Sequence, residues 1–330
     1  MMKKIVLSGM RPTGKLHLGH LVGALNNWCD LQKDYHCFFM VADWHALMSE
    51  YKNPSGINES IIDNVIDWLS CGIDPKSSVV FIQSQVKEHL ELYMILSCLV
   101  PLGWLERCPT YKEQMKELKA KDVSNYAFLG YPVLQAADIL LYKANCVPVG
   151  EDQLPHLEIC REIARRFNSM YKSDVLVEPQ ALLTRFPKLL GIDGRKMSKS
   201  YDNTIALSEP KDSIKKKVAR MFTDPKRIKR LDPGHPKQCN VYGYYGVFRP
   251  DMTDDVYHWC TKAELGCTEC KAKLAQIVVD LIEPIQEKRN YFLSHKDSVM
   301  DILKQGRQEA EKFANKTVAE VKEAMGNGII

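Results

Sequence analysis

Short apolar runs alternate with stretches in which apolar residues recur at helical spacing, and this alternation fills the first part of the chain. Residues 4–8 read as a buried strand, and 9–14, with Pro12 and Gly14 as breakers, as a turn-rich loop. Leu21, Ala24, Leu25, Trp28 and Leu31 then recur at three and four, which predicts a helix over 19–31. A second strand run covers 36–42 and ends in Asp43, Trp44 and His45. Ile57, Ile61, Ile62, Val65, Ile66 and Leu69 mark one face of a helix, and 78–83 is the next strand. Strands separated by helices predict an α/β fold with a doubly wound parallel sheet, in which polar residues at the strands' carboxyl ends are the expected ligand groups.

Further along, 131–142 reads as an apolar helix carrying one carboxylate, Asp138, and 147–149 as a short strand closed by Gly150, Glu151, Asp152 and Gln153 before another helix. The charged stretch 112–121 reads as a solvated, mobile segment. Pro179 and Pro187 punctuate the approach to residue 190, after which 254–261, 270–287 and 296–325 are helical in pattern. The change of pattern places a domain boundary within 190–205, giving an α/β domain over 1–200 and a helical domain over 201–330.

Charge changes this picture locally. The 330 residues carry a net charge of only +4, yet from Lys196 to Cys239 there are twelve Lys and Arg against five Asp and Glu, a tract suited to a polyanionic partner. No apolar run approaches the ~20 residues of a membrane span. The run behind Lys3 and Lys4 stops at Leu7, too short for a signal peptide, so a cytoplasmic protein is expected. Eleven cysteines, an odd number, argue against a disulfide framework and direct attention to local spacing.

Three constellations carry candidate chemistry. His17 and His20 flank Leu18 and Gly19 at the mouth of the first predicted helix, where backbone N–H groups can meet a phosphate and a residue without Cβ admits a close ligand. Far downstream, Lys196, Met197, Ser198, Lys199 and Ser200 place two point charges on one loop, suited to gripping a polyphosphate as charge builds on it. Asp138, in an apolar helix, must cap local structure or bind a ligand donor, because an unpaired buried carboxylate costs several kcal/mol.

The pair His-Leu-Gly-His and Lys-Met-Ser-Lys-Ser, joined by Ala136 to Tyr142 and Val149 to Gln153, resembles the tryptophanyl-tRNA synthetases of class I over essentially the whole chain. The resemblance implies a Rossmann-type catalytic domain, a C-terminal helical domain that reads the anticodon, and a homodimer. It implies ATP-dependent attachment of L-tryptophan to tRNA(Trp) through an adenylate, with Mg2+ accompanying ATP. Arg11, Pro12, Thr13, Gly19, His20, Gly150, Glu151, Asp152, Phe186 and Lys196 to Ser200 would bind ATP, with His17, His20, Lys196 and Lys199 as catalytic groups. Leu7, His45, Tyr131, Gln135, Asp138, Val149 and Gln153 would line the tryptophan site, Asp138 accepting the donor-only indole N–H. Leu7 and Gln135 stand where typical bacterial members have an aromatic residue and a methionine. A tyrosyl-tRNA synthetase, which would carry a tyrosine at Leu7, or an RNA-binding paralogue without aminoacylation, are the alternatives.

Cys239, Cys260, Cys267 and Cys270 form a separate pattern whose last two residues are a CxxC half-site following Gly266. Four thiolates at such spacing can hold Zn2+ or a [4Fe–4S] cluster. A subgroup of the family that this chain resembles carries the cluster.

Overall fold

The computed structural model of the chain describes residues 3–117, 123–183, 189–195, 197 and 201–326. The sheet comprises β1 (Ile5–Met10), β2 (His36–Val41), β3 (Ser78–Ile82), β4 (Cys146–Val149) and β5 (Gln180–Leu183). Helices in the first half are α1 (Leu18–His20), which continues through a π-helical stretch (Leu21–Leu25) into α2 (Asn26–Asp34), then α3 (Asp43–Glu50), α4 (Ser55–Cys71) and α5 (Glu88–Ser97). After them come α6 (Leu102–Arg107), α7 (Pro109–Glu117), α8 (Tyr126–Leu141) and α9 (Leu154–Tyr171). The later part holds α10 (Lys211–Ala219), α11 (Asn240–Phe248), α12 (Thr253–Thr261), α13 (Cys267–Ser294) and α14 (Lys296–Ala324).

All five strands are parallel, in the order β3, β2, β1, β4, β5. The chain works outward from β1 to β3 and then returns to the other side of β1. The carboxyl ends of β1 and β4 therefore flank a topological switch point, where open α/β sheets bind ligands. Alternation along the strands sends Val6, Cys37 and Phe39 to one face and Leu7, Phe38 and Met40 to the other. With both faces covered, the strands read as continuous apolar runs.

Several elements depart from the expected boundaries for physical reasons. β1 runs two residues into the expected loop because Gly9 and Met10 remain paired with Met40 and Val41. α8 begins at Tyr126, where Asn125 caps it by accepting from the Phe128 N–H at 2.9 Å. The stretch 112–121, expected to be a mobile solvated segment, is helical in α7 as far as Glu117, and 118–122 lie outside the described residues. β5 was not apparent from sequence because this edge strand is half-exposed and its apolar run, Ala181 to Leu183, is only three residues long. α10 sits inside the basic tract, burying Ile214 and Val218 and turning Lys211, Lys215 and Lys216 outward, while Lys217 is half-buried against Glu209. Among the described residues no helix is long and apolar enough to cross a membrane.

The last two helices return to the sheet. Arg289 of α13 is nearly buried and ion-paired with Asp63 and, at 3.1 Å, with Asp67, both on α4. Ala310, Ala314, Val318 and Val321 of α14 share a core with Leu7, Phe38 and Phe81. Gly306 of α14 lies so close to β3 that an added Cβ would stand 1.9 Å from the Val80 carbonyl oxygen. Gly306→Ala must therefore push the helix off the strand, with an expected loss of about 1–3 kcal/mol in urea unfolding. Gly243→Ala on α11, where a Cβ would meet nothing within 4 Å, should be neutral or slightly stabilising in the same measurement.

Candidate functional site

A cavity of about 400 Å³ opens at the switch point, between the ends of β1 and β4 and the helices α3 and α8. This is within the ordinary size range of small-molecule sites. Leu7, His45, Tyr131, Gln135, Asp138, Val149 and Gln153 all line it, together with Arg11 and Gly150. Met48 and Phe128 complete its apolar wall, two residues that carry no motif and could be found only from the fold.

Asp138 is 2% exposed and accepts three hydrogen bonds. His45 Nε2 reaches Oδ2 at 2.8 Å, while Gln83 Nε2 and His89 Nδ1 reach Oδ1 at 2.8 and 2.7 Å. Burial by itself would raise the carboxyl, but the hydrogen bonds from His45 and His89 outweigh it and hold Asp138 below the usual carboxylate value. His89 is held in turn by the Tyr142 hydroxyl, 2.8 Å from Nε2. Gln83 and His89 were missed in the sequence. Gln83 had a usable signal, as a polar residue directly following the β3 run, whereas His89 had none.

At the other end of the cavity, His156 of α9 links two lining residues. Its Nε2 is 2.5 Å from the Tyr131 hydroxyl and its Nδ1 3.1 Å from Gln153 Oε1. Burial, reinforced by His45 and opposed by Asp152, lowers His156 to about 4. Gly150 precedes a single turn, Glu151–Gln153, in which Glu151 and Asp152 are exposed and Gln153 Nε2 donates to Asp152 Oδ2 at 2.9 Å.

The first signature follows β1 directly. Pro12 is buried and Thr13 exposed, with the Thr13 N–H donating to the Arg11 carbonyl at 2.9 Å. His17 caps α1, its Nδ1 accepting from the Gly19 N–H at 3.1 Å, while the His17 N–H donates to His20 Nδ1 at 3.2 Å. The loop is tied to a distant segment by two backbone bonds, Leu18 N–H to the Ile205 carbonyl at 3.0 Å and Leu207 N–H to the Leu16 carbonyl at 2.9 Å. Met197 of the second signature reaches the same place, since a Cβ on Gly19 would lie 3.1 Å from its Sδ. The two signatures, nearly two hundred residues apart, thus meet at Gly19. Phe186, Lys196, Ser198, Lys199 and Ser200 lie outside the described residues.

The four cysteines of the CxxC pattern surround one small cavity of about 20 Å³, beside Arg227 and Trp259. Among the described residues no group of three or more His, Cys, Asp or Glu is placed to hold a metal ion. The surroundings nevertheless suit thiolate or sulfide acceptors. Arg227 Nη1 donates to Cys260 Sγ at 3.9 Å, and among the described residues Arg227 Nε is buried without a partner. Burial and the neighbouring Cys239 push the Cys270 thiol up to about 12, so a thiolate at this position would need a cation to compensate it.

Known proteins resemble the chain throughout. Residues 2–283 match the family model described as tRNA synthetases class I (W and Y). A tryptophan–tRNA ligase of Thermotoga maritima is 50% identical over 325 residues, spanning 97% of this chain and 98% of that protein. One of Ralstonia nicotianae is 42% identical, spanning 97% and 98%. A crystal structure of tryptophanyl-tRNA synthetase from Campylobacter jejuni, complexed with ADP and tryptophan, superposes with a TM-score of 0.88 at 33% identity, covering 98% of this chain and all of that one. Parallel sheet, paired signatures and relatives agree, and the chain belongs to the class I tRNA synthetases of the tryptophan and tyrosine family.

Proposed function

We propose that this protein is a tryptophan–tRNA ligase, which joins L-tryptophan to tRNA(Trp) in two steps driven by ATP. A carboxylate oxygen of tryptophan attacks the α-phosphorus of ATP, the bond to the β-phosphate bridging oxygen breaks, and pyrophosphate leaves. A hydroxyl of the terminal tRNA ribose then attacks the acyl carbon, and AMP leaves. No covalent enzyme intermediate is needed, so the protein's task is positioning and charge stabilisation.

The observation that carries this reading is Asp138, a buried carboxylate held below the usual carboxylate value in the wall of a cavity of about 400 Å³ at the switch point. An indole N–H can only donate and a carboxylate can only accept, so the two match. Tyr131, Gln135 and Gln153 would hold the α-ammonium end, with Leu7 and Val149 against the ring and His45 near the carboxylate. Arg11, Pro12, Thr13, Gly19 and His20 would bind ATP, His17 and His20 would face its phosphates, and Gly150, Glu151 and Asp152 would take the ribose. Lys196 and Lys199 would stabilise the leaving pyrophosphate, a role that rests on the resemblance. Mg2+ arriving with ATP supplies charge neutralisation on the phosphates.

The same reading covers the rest of the chain. Residues 1–200 would be the catalytic unit and 201–330 the anticodon-reading unit, with α14 packed back onto the sheet. Exposed Leu90, Met94, Leu102 and Tyr126, on the adjoining helices α5, α6 and α8, support a homodimer. A tRNA ligase of this kind would work in the cytoplasm. Cys239, Cys260, Cys267 and Cys270 would hold a [4Fe–4S] cluster, with Zn2+ the alternative, as a structural group apart from the adenylation site. The four thiols around one cavity and the buried Arg227 Nε beside them support such a group.

Exchange of labelled pyrophosphate into ATP should depend on tryptophan, and faster exchange with tyrosine would overturn the reading. Asp138→Asn should lower kcat/KM for tryptophan in this assay by about 10- to 100-fold, the usual effect of losing a charged hydrogen bond. Protein purified without oxygen should contain iron and sulfide and absorb broadly in the visible. One zinc per chain without sulfide would identify the alternative, and neither metal would remove the cysteine proposal altogether.

A further inference from the structure

His156 carries none of the signatures, is 2% exposed, and touches the two residues proposed to meet the substrate's ammonium group. The three side chains come from different places: Tyr131 from α8, Gln153 from the turn after β4, and His156 from the first turns of α9. The Tyr131 and His156 rings meet edge to face at 5.0 Å, and the hydroxyl stands 2.5 Å from Nε2.

The direction of each proton in this chain follows from its neighbours. Gln153 donates through Nε2 to Asp152 Oδ2, so its carbonyl oxygen is the atom turned to His156. A carbonyl oxygen only accepts, so His156 Nδ1 bears the proton. Burial of His156, with His45 nearby, keeps the ring neutral at ordinary pH even though Asp152 pulls the other way. A neutral ring with its proton on Nδ1 has only a lone pair at Nε2, and the Tyr131 hydroxyl must donate there at 2.5 Å. The Tyr131 oxygen is then left with lone pairs alone to offer the cavity. Without His156 the hydroxyl proton could rotate toward the cavity and oppose a donor-only ligand.

We propose that His156 is a positioning residue that fixes the Tyr131 hydroxyl as an acceptor, so that the cavity selects a ligand carrying an α-ammonium group over one that lacks it. This rests on the reading that tryptophan occupies the cavity with its ammonium beside Tyr131 and Gln153. His156 acts only through its neighbours and needs no contact with the ligand. Its predicted signature is a change in discrimination, not a uniform loss of binding.

The test compares calorimetric binding of L-tryptophan with that of indole propionate, which is tryptophan without its amino group, to the full-length protein. His156→Phe should weaken tryptophan by about 10-fold, the size of one hydrogen bond to a charged group, and change indole propionate by less than about 2-fold. His156→Gln, whose carbonyl can still accept from Tyr131, should recover part of the loss and serves if the phenylalanine variant does not fold. In a Tyr131→Phe background the His156 change should cost clearly less than in the wild type, because the hydroxyl is gone and only the bond to Gln153 remains. Equal weakening of both ligands, or additive losses in the double variant, would overturn the inference. A wild-type protein that binds neither ligand would instead overturn the parent reading of the cavity, and this inference with it.

Discussion

A buried, ionised carboxylate must be satisfied from within the protein, and Asp138 imposes that demand on the centre of this fold. Its three donors come from three elements: His45 from α3, Gln83 from the end of β3 and His89 from α5. None of these could move away without leaving a charge uncompensated in a low-dielectric interior. The carboxylate on α8 thus acts as a hub that draws the elements around the carboxyl ends of β2 and β3 toward the cavity wall. Tyr142, just past the end of α8, closes the network by holding His89. The rigidity a binding site needs is in this case a by-product of satisfying one charge.

A second tie connects the cavity to the later helices. Asp67 on α4 accepts a backbone hydrogen bond from Leu16 in the first signature and pairs with Arg289 of α13. Burial pushes the Asp67 carboxyl up to about 7, and Arg289 opposes that shift. Gln286, also on α13, donates to the carbonyls of Leu207 and Glu209, beside the segment that is paired to the first signature. One helix therefore holds both partners of the signature loop.

What the sequence disclosed, and what it hid, follows from distance along the chain. Periodicity exposed β1 to β4 and most long helices because strand and helix patterns repeat within a few residues. The signatures were visible as strings, although their meeting at Gly19 through Met197 was not. Gln83 was marked only by its place after the β3 run, and His89 and His156 by nothing: the partners of the three lie 55, 49 and 25 residues away. Gly306 was hidden for the same reason, since only the fold brings it against Val80. The cysteines are the reverse case. Their spacing drew attention, and the fold gathers them around one cavity, yet as placed they do not form a metal-binding group.

The distribution of charge in the cavity is consistent with a zwitterionic ligand bearing a neutral aromatic donor. A fixed anion, Asp138, stands at the end proposed for the indole, while burial strips His156 of charge at the end proposed for the ammonium. A cationic His156 would repel the ammonium, and a neutral Asp138 would be a weaker and less selective acceptor. With an ionised acceptor already buried, a ligand that lacks the N–H leaves it facing an apolar ring. Discrimination of ~10⁴-fold or more is open to sites built this way, whereas a purely apolar pocket is limited to about 10- to 200-fold per methylene. The two titratable groups are thus pushed in the directions that favour one ligand class, by burial in one case and by hydrogen bonds that overcome burial in the other.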